Sequence, residues 1–157
     1  MTVRAVLALL AAGVVCAAAP AASMPPSQSA SVTVSNAKAG MRPVTLTLQL
    51  HYEMQCGNPG TGYLRVKLPA QAQLPATLPT NSALLNGRRV SPTLTATKQL
   101  RVALPPRPGV MCDVIGPGTL TFVVTKAANI GNPAKAGRYK VAAWSSSKAF
   151  ATTYSVN

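Results

Sequence analysis

Between Val44 and Met54 the chain alternates without a break, with Val44, Leu46, Leu48, Leu50, Tyr52 and Met54 on one side and Thr45, Thr47, Gln49, His51 and Glu53 on the other. Side chains of an extended backbone point to opposite faces in turn, so a period of two predicts a long strand with one face buried and one in water. A helix would scatter the same apolar residues around its circumference. The period recurs. Val32 and Val34 mark a shorter strand upstream, and Leu64, Val66 and Leu68 alternate downstream with Tyr63, Arg65 and Lys67, whose charges take the outer face. Thr119 to Lys126, Arg138 to Ser145 and Ala149 to Val156 have the Thr, Val and aromatic content of three further strands.

The punctuation between these segments is that of an antiparallel protein. Asn86-Gly87 separates Leu84-Leu85 from Arg88 to Val90, and Asn-Gly supplies the positive φ angles of a two-residue hairpin turn. Thr93 to Thr97 and Leu100 to Leu104 flank Lys98-Gln99 as a second hairpin, stopped by Pro105-Pro106 because proline cannot donate to a ladder. Only Ala127 to Ile130 has helical composition, too short for more than one turn. Without helices to cross over, parallel α/β folds are excluded, and the expected fold is all-β, an antiparallel β-sandwich of about seven to nine strands.

The first residues stand apart from this pattern. Met1 to Arg4 is a short basic start, followed by Ala5 to Ala19, an uncharged run rich in Ala, Leu and Val. Fifteen helical residues span roughly 22 Å, short of the hydrocarbon core of a bilayer, and no basic stop-transfer segment follows. The run therefore reads as a signal peptide cleaved near Ala21, Ala22 and Ser23 rather than as an anchor. The expected organisation is a signal peptide over 1–23, a flexible Pro- and Ser-containing lead-in over 24–30, and one domain over 31–157. The mature form is expected outside the cytoplasm, periplasmic or extracellular, without a transmembrane segment.

Segment Gly137-Arg138-Tyr139-Lys140-Val141 resembles the G-x-Y-x-C signature of immunoglobulin-type domains, with Val141 at the position of the cysteine. The Ile130-Gly131-Asn132-Pro133 corner, the final strand and the Asn86-Gly87 hairpin extend the resemblance to immunoglobulin-like sandwich modules of secreted and surface proteins of bacteria. It implies an immunoglobulin-like β-sandwich in which Tyr139 opens a strand and its hydroxyl ties down the preceding corner. Val141 removes the family's core bridge. Such modules adhere, space, bind ligands or assist other domains, so the resemblance implies no catalytic residues.

Two cysteines remain once Cys16 leaves with the signal peptide. An even count in an oxidising compartment predicts a Cys56–Cys112 disulfide, stapling loops at one end of the domain. Charge is the strongest compositional signal: 15 Lys plus Arg oppose 2 Asp plus Glu, for a formal net charge of +13 that falls by one when Arg4 is removed. The basic residues are spread through the chain, with only Arg88 and Arg89 adjacent among the strand and turn positions, so no nucleic-acid arm is present and specific nucleic-acid binding is not expected. Anionic polymers of the cell envelope, or another secreted protein, are the expected partners.

Little chemistry is available beyond attraction. His51, Met54, Cys56, Met111 and Cys112 are soft ligands suited to a copper-carrying alternative, but His51 and Met54 fall on opposite faces of one strand and a blue-copper centre needs two His. A minimal hydrolase would rest on the only two acids, Glu53 and Asp113, or on His51 beside Glu53. No nucleophile elbow, P-loop or dinucleotide fingerprint occurs. The reading is therefore a noncatalytic binding or structural protein without cofactor or metal, with Arg65, Lys67, Arg88, Arg89, Lys140 and Trp144 as its candidate ligand contacts.

Overall fold

The computed structural model describes residues 28–52, 55–57, 62–104, 113–115, 118–145 and 148–157. The expected signal peptide and the first residues of the lead-in lie outside them. Twelve strands are present among the described residues: β1 (Gln28–Val34), β2 (Leu46–Tyr52), β3 (Gln55–Gly57), β4 (Tyr63–Lys67), β5 (Ala83–Leu85), β6 (Arg88–Val90), β7 (Thr93–Leu94), β8 (Gln99–Ala103), β9 (Asp113–Ile115), β10 (Gly118–Val124), β11 (Gly137–Ser145) and β12 (Lys148–Val156). The sequence pattern counts fewer because strands of three residues, such as β3 and β9, are too short to display a period. One 3-10 turn, Lys126–Ala128, occupies the segment of helical composition.

The strands form two five-stranded sheets, ordered β1-β2-β10-β5-β6 and β12-β11-β4-β8-β7, and a two-stranded sheet of β3 and β9. Pairing is antiparallel throughout. The alternation read from sequence is the alternation of burial: Val44, Leu46, Leu48 and Leu50 are buried, whereas Gln49 and His51 are exposed. Leu48, Leu50, Leu85, Phe122 and Val124 of the first sheet join Leu64, Val66, Leu100, Val102 and Val141 of the second in one apolar core. Phe122, fully buried, lies opposite Leu48 on one side and Leu85 on the other. Burial of a side chain this size stabilises the fold by about 3 kcal/mol.

Both hairpins form, with one shift. Asn86 (φ 48°) and Gly87 (φ 79°) make the β5–β6 turn, and Asn86 also fixes the hairpin laterally, because its Oδ1 accepts from the Thr121 amide of β10 at 2.8 Å. The β7–β8 reversal falls over Thr95–Lys98, so Gln99 belongs to the strand rather than to the turn. Lys98 takes the positive φ (56°), and the Thr95 hydroxyl accepts from the Gln99 amide at 3.1 Å.

Connections at one end of the molecule are tied by polar groups. Tyr139 Oη donates to the Lys135 carbonyl at 2.8 Å, closing the corner that leads into β11. Asn132 is 1% exposed, and its Nδ2 donates to the carbonyls of Asn36 (2.7 Å) and Lys38 (2.9 Å). Gln73 Nε2 donates to the Asn132 carbonyl at 3.0 Å, and the Gln73 and Gly131 backbones exchange hydrogen bonds. Three segments remote in sequence are thereby held together beside the start of β11.

Candidate functional site

Strand β4 lies inside its sheet, between β11 and β8, and presents Tyr63, Arg65 and Lys67 to solvent because Leu64 and Val66 fill the core. Register then decides which side chains meet. Trp144 of β11 is opposite Arg65, which is opposite Arg101 of β8. In the next row Ala142 is opposite Lys67, which is opposite Gln99. Like charges directly across a sheet repel, and here each guanidinium is drawn over an aromatic ring. Arg101 Cζ stands 3.6 Å from the Tyr63 ring centroid and Arg65 Cζ 6.0 Å from that of Trp144. Exposed cation–π pairs contribute about 0.5–1 kcal/mol each, enough to offset a repulsion screened by water.

Beside the indole the sheet surface drops. Ala142 shares the outer face of β11 with Trp144, so a small side chain adjoins a half-buried ring. The result is a groove of about 580 Å³ between β11 and the segment that leaves β4, with Trp144, Lys67, Lys140, Arg138 and Gln71 among its lining residues. Arg138 is held on this face by its Nε, which donates to Thr153 Oγ1 at 2.9 Å. No acid lines the groove among the described residues.

Four of the six contacts expected from sequence, Arg65, Lys67, Lys140 and Trp144, thus share one face. Arg88 and Arg89 are exposed on β6, at the edge of the other sheet. Sequence reasoning did not single out Arg101, Tyr63, Arg138 or Gln71 as contacts. Alternation of Arg101 with Leu100 and Val102 marks it as outward-facing, but only the β4–β8 register shows what it faces.

The remaining candidates are dispersed. His51 is exposed, hydrogen-bonded through Nδ1 to Thr119 Oγ1 at 2.8 Å. Glu53, Met54, Met111 and Cys112 lie outside the described residues. Cys56 lies on β3 opposite Val114 of β9, which also contains Asp113. Among the described residues no group of three His, Cys, Asp or Glu side chains is placed to hold a metal, and no helix is long and apolar enough to cross a membrane.

On β12, the edge strand of the second sheet, the buried Tyr154 packs beside Tyr139 with ring centroids 6.2 Å apart. Burial, reinforced by the neighbouring Tyr139, pushes the Tyr154 phenol up to about 12, because a phenolate there would lose its hydration.

No family model matches the chain, and no curated protein does. Among solved structures, the crystal structure of BslA, a bacterial hydrophobin, is similar with a TM-score of 0.52 at 18% sequence identity, over 83% of this chain and 98% of that chain. The likeness is one of fold.

Proposed function

We propose that this chain is a noncatalytic, immunoglobulin-like β-sandwich exported to the cell envelope, where it captures anionic polymers on the outer face of β11, β4 and β8. Strand order supports the fold assignment. If β1, β2, β4, β5, β10, β11 and β12 are taken as strands A to G, the two sheets contain A-B-E-D and C-F-G, the order of a constant-type immunoglobulin domain, with β6, β7 and β8 as additions at the sheet edges. The Tyr139 hydroxyl bonded to Lys135 supplies the tyrosine corner. The expected Cys56–Cys112 disulfide fits this reading, because β9, the partner of β3, begins at the residue after Cys112.

The observation that carries the function is the set of Arg65, Lys67, Arg101, Arg138 and Lys140 on one sheet face, in a chain where 15 Lys plus Arg oppose only 2 Asp plus Glu. Cations gathered on one surface attract a polyanion and orient it without chemistry at any bond. BslA's description as a hydrophobin suggests action at an interface as a second reading. The described residues favour charge, since their one exposed large hydrophobic side chain, Tyr63, has Arg101 over its ring.

The test is co-sedimentation of the mature protein with the envelope fraction of its own organism, at low and at physiological salt. Capture is expected at low salt and is expected to weaken when Arg65 and Arg101 are both changed to Gln, whereas the pair Arg88→Gln and Arg89→Gln has a smaller effect. Equal losses from the two pairs would reduce the proposal to net charge, and no capture at low salt would end it.

A further inference from the structure

The groove beside Trp144 has features that charge attraction alone does not require. A polyphosphate or an anionic membrane surface is held by cations on any open face, but here three cations line a recess together with the Trp144 indole and the small side chain of Ala142. We propose that this groove is a binding subsite for an acidic sugar residue, a hexuronate within an anionic polysaccharide. The inference rests on the polymer-capture reading above and names its ligand.

The lining matches the two faces of such a residue. A pyranose ring has a flat patch of C–H groups, and the half-buried indole of Trp144, which lines the groove with Ala142, offers an apolar plane against which that patch can stack. The carboxylate on the ring needs cations at the edge of the plane. Lys67 and Lys140 supply point charges. Arg138 supplies a fork, since its Nε is already occupied by Thr153 and its two terminal amino groups remain for a carboxylate. Gln71 adds an amide that donates and accepts, as sugar hydroxyls require. A few polar groups converging on a partly apolar recess are the usual composition of a small-molecule site. Arg65 and Arg101 continue the positive surface over the next two strands, so a chain of several acidic sugars has further cations to run onto.

A lipid surface fits less well. Peripheral membrane binding relies on apolar side chains that protrude and enter the acyl boundary, whereas this indole lines a recess.

Trp144 is the chain's only tryptophan, so its fluorescence reports on this groove directly. The experiment is a fluorescence titration of the mature protein with trigalacturonate in 0.15 M NaCl, beside maltotriose, inorganic polyphosphate and vesicles of equal parts phosphatidylglycerol and phosphatidylcholine. Trigalacturonate is expected to give a saturable change in emission, maltotriose none, and monomeric galacturonate a weaker response than the trimer. Ala142→Phe fills the groove at unchanged net charge and is expected to weaken binding about tenfold or more, in line with loss of one stacking contact. Lys140→Gln, at an exposed position, is expected to weaken it several-fold and serves as the second variant if Ala142→Phe perturbs folding.

Equal responses to maltotriose and trigalacturonate, or affinities unmoved by both variants, would overturn the subsite. If polyphosphate or vesicles bind while trigalacturonate leaves the emission unchanged, the sugar subsite falls and charge capture stands. If none of the anionic probes binds even at low salt, both fall.

Discussion

Asn132 carries the most testable structural claim, that one buried amide holds together loops contributed by distant parts of the chain. Its two N–H groups reach the carbonyls of Asn36 and Lys38 at 2.7 and 2.9 Å, while its Oδ1 is buried without a partner. Asn132→Ala removes both donors. Each bond contributes about 1 kcal/mol net, and leaving the carbonyls unpaired at a position 1% exposed adds a desolvation cost of about 1–3 kcal/mol for each carbonyl that water fails to reach. Loss of the unpartnered Oδ1 returns about 1 kcal/mol, and water reaching the exposed residues Asn36 and Lys38 lowers the cost further, so the expected net is about 2–3 kcal/mol. For a domain of about 130 residues the unfolding entropy converts each kcal/mol into about 4 °C, which predicts a fall in Tm of about 8–12 °C. Asn132→Asp keeps the shape, but at neutral pH it presents a carboxylate to two carbonyl oxygens and is expected to cost more than the alanine. Guanidinium and thermal unfolding of the mature protein, followed by circular dichroism, measure both variants. A loss under about 0.5 kcal/mol for Asn132→Ala, or an Asp variant as stable as wild type, would refute the assignment of this amide as the tie between the loops.

Two further outcomes follow from the charges and from Tyr154. The phenol's pKa is raised in the folded state, so the folded protein holds its proton more tightly than the unfolded chain does. The associated stability is present below about pH 10, is lost as pH rises from about 10 towards 12, and amounts to at most about 2–3 kcal/mol. Tyr154→Phe is expected to flatten that part of the stability–pH curve measured by denaturant unfolding; an unchanged slope would refute the burial argument. Because 15 Lys plus Arg face only 2 Asp plus Glu, for a formal charge of +13, self-repulsion is expected to dominate surface electrostatics. Thermal stability should therefore rise as NaCl is increased from about 10 mM to 0.3 M, and a fall would show that attractive pairs outweigh repulsion.

The sequence determined the class of fold and the inward face of each long strand, because burial in a strand follows a period of two that any stretch of about six residues displays. Leu46, Leu48 and Leu50 in one sheet, and Leu64 and Val66 in the other, are inside for the reason their spacing implies. Asn86-Gly87 made its turn because a backbone with two positive φ angles accepts few other dipeptides. The sequence also fixed the excess of cations and placed Trp144 on the same side of its strand as Lys140. What it left open was pairing. Whether Arg65 faces Arg101 or a residue of another strand depends on strand order and register, which are set by the packing of both sheets against a shared core and not by any local pattern. The same packing moved Arg88 and Arg89 to the other sheet, set Ala142 and Trp144 beside the segment that leaves β4 to line a groove, and joined Asn132 to a loop nearly a hundred residues away. A strand's own residues decide which of its faces is wet, but only the tertiary fold decides which wet faces lie side by side.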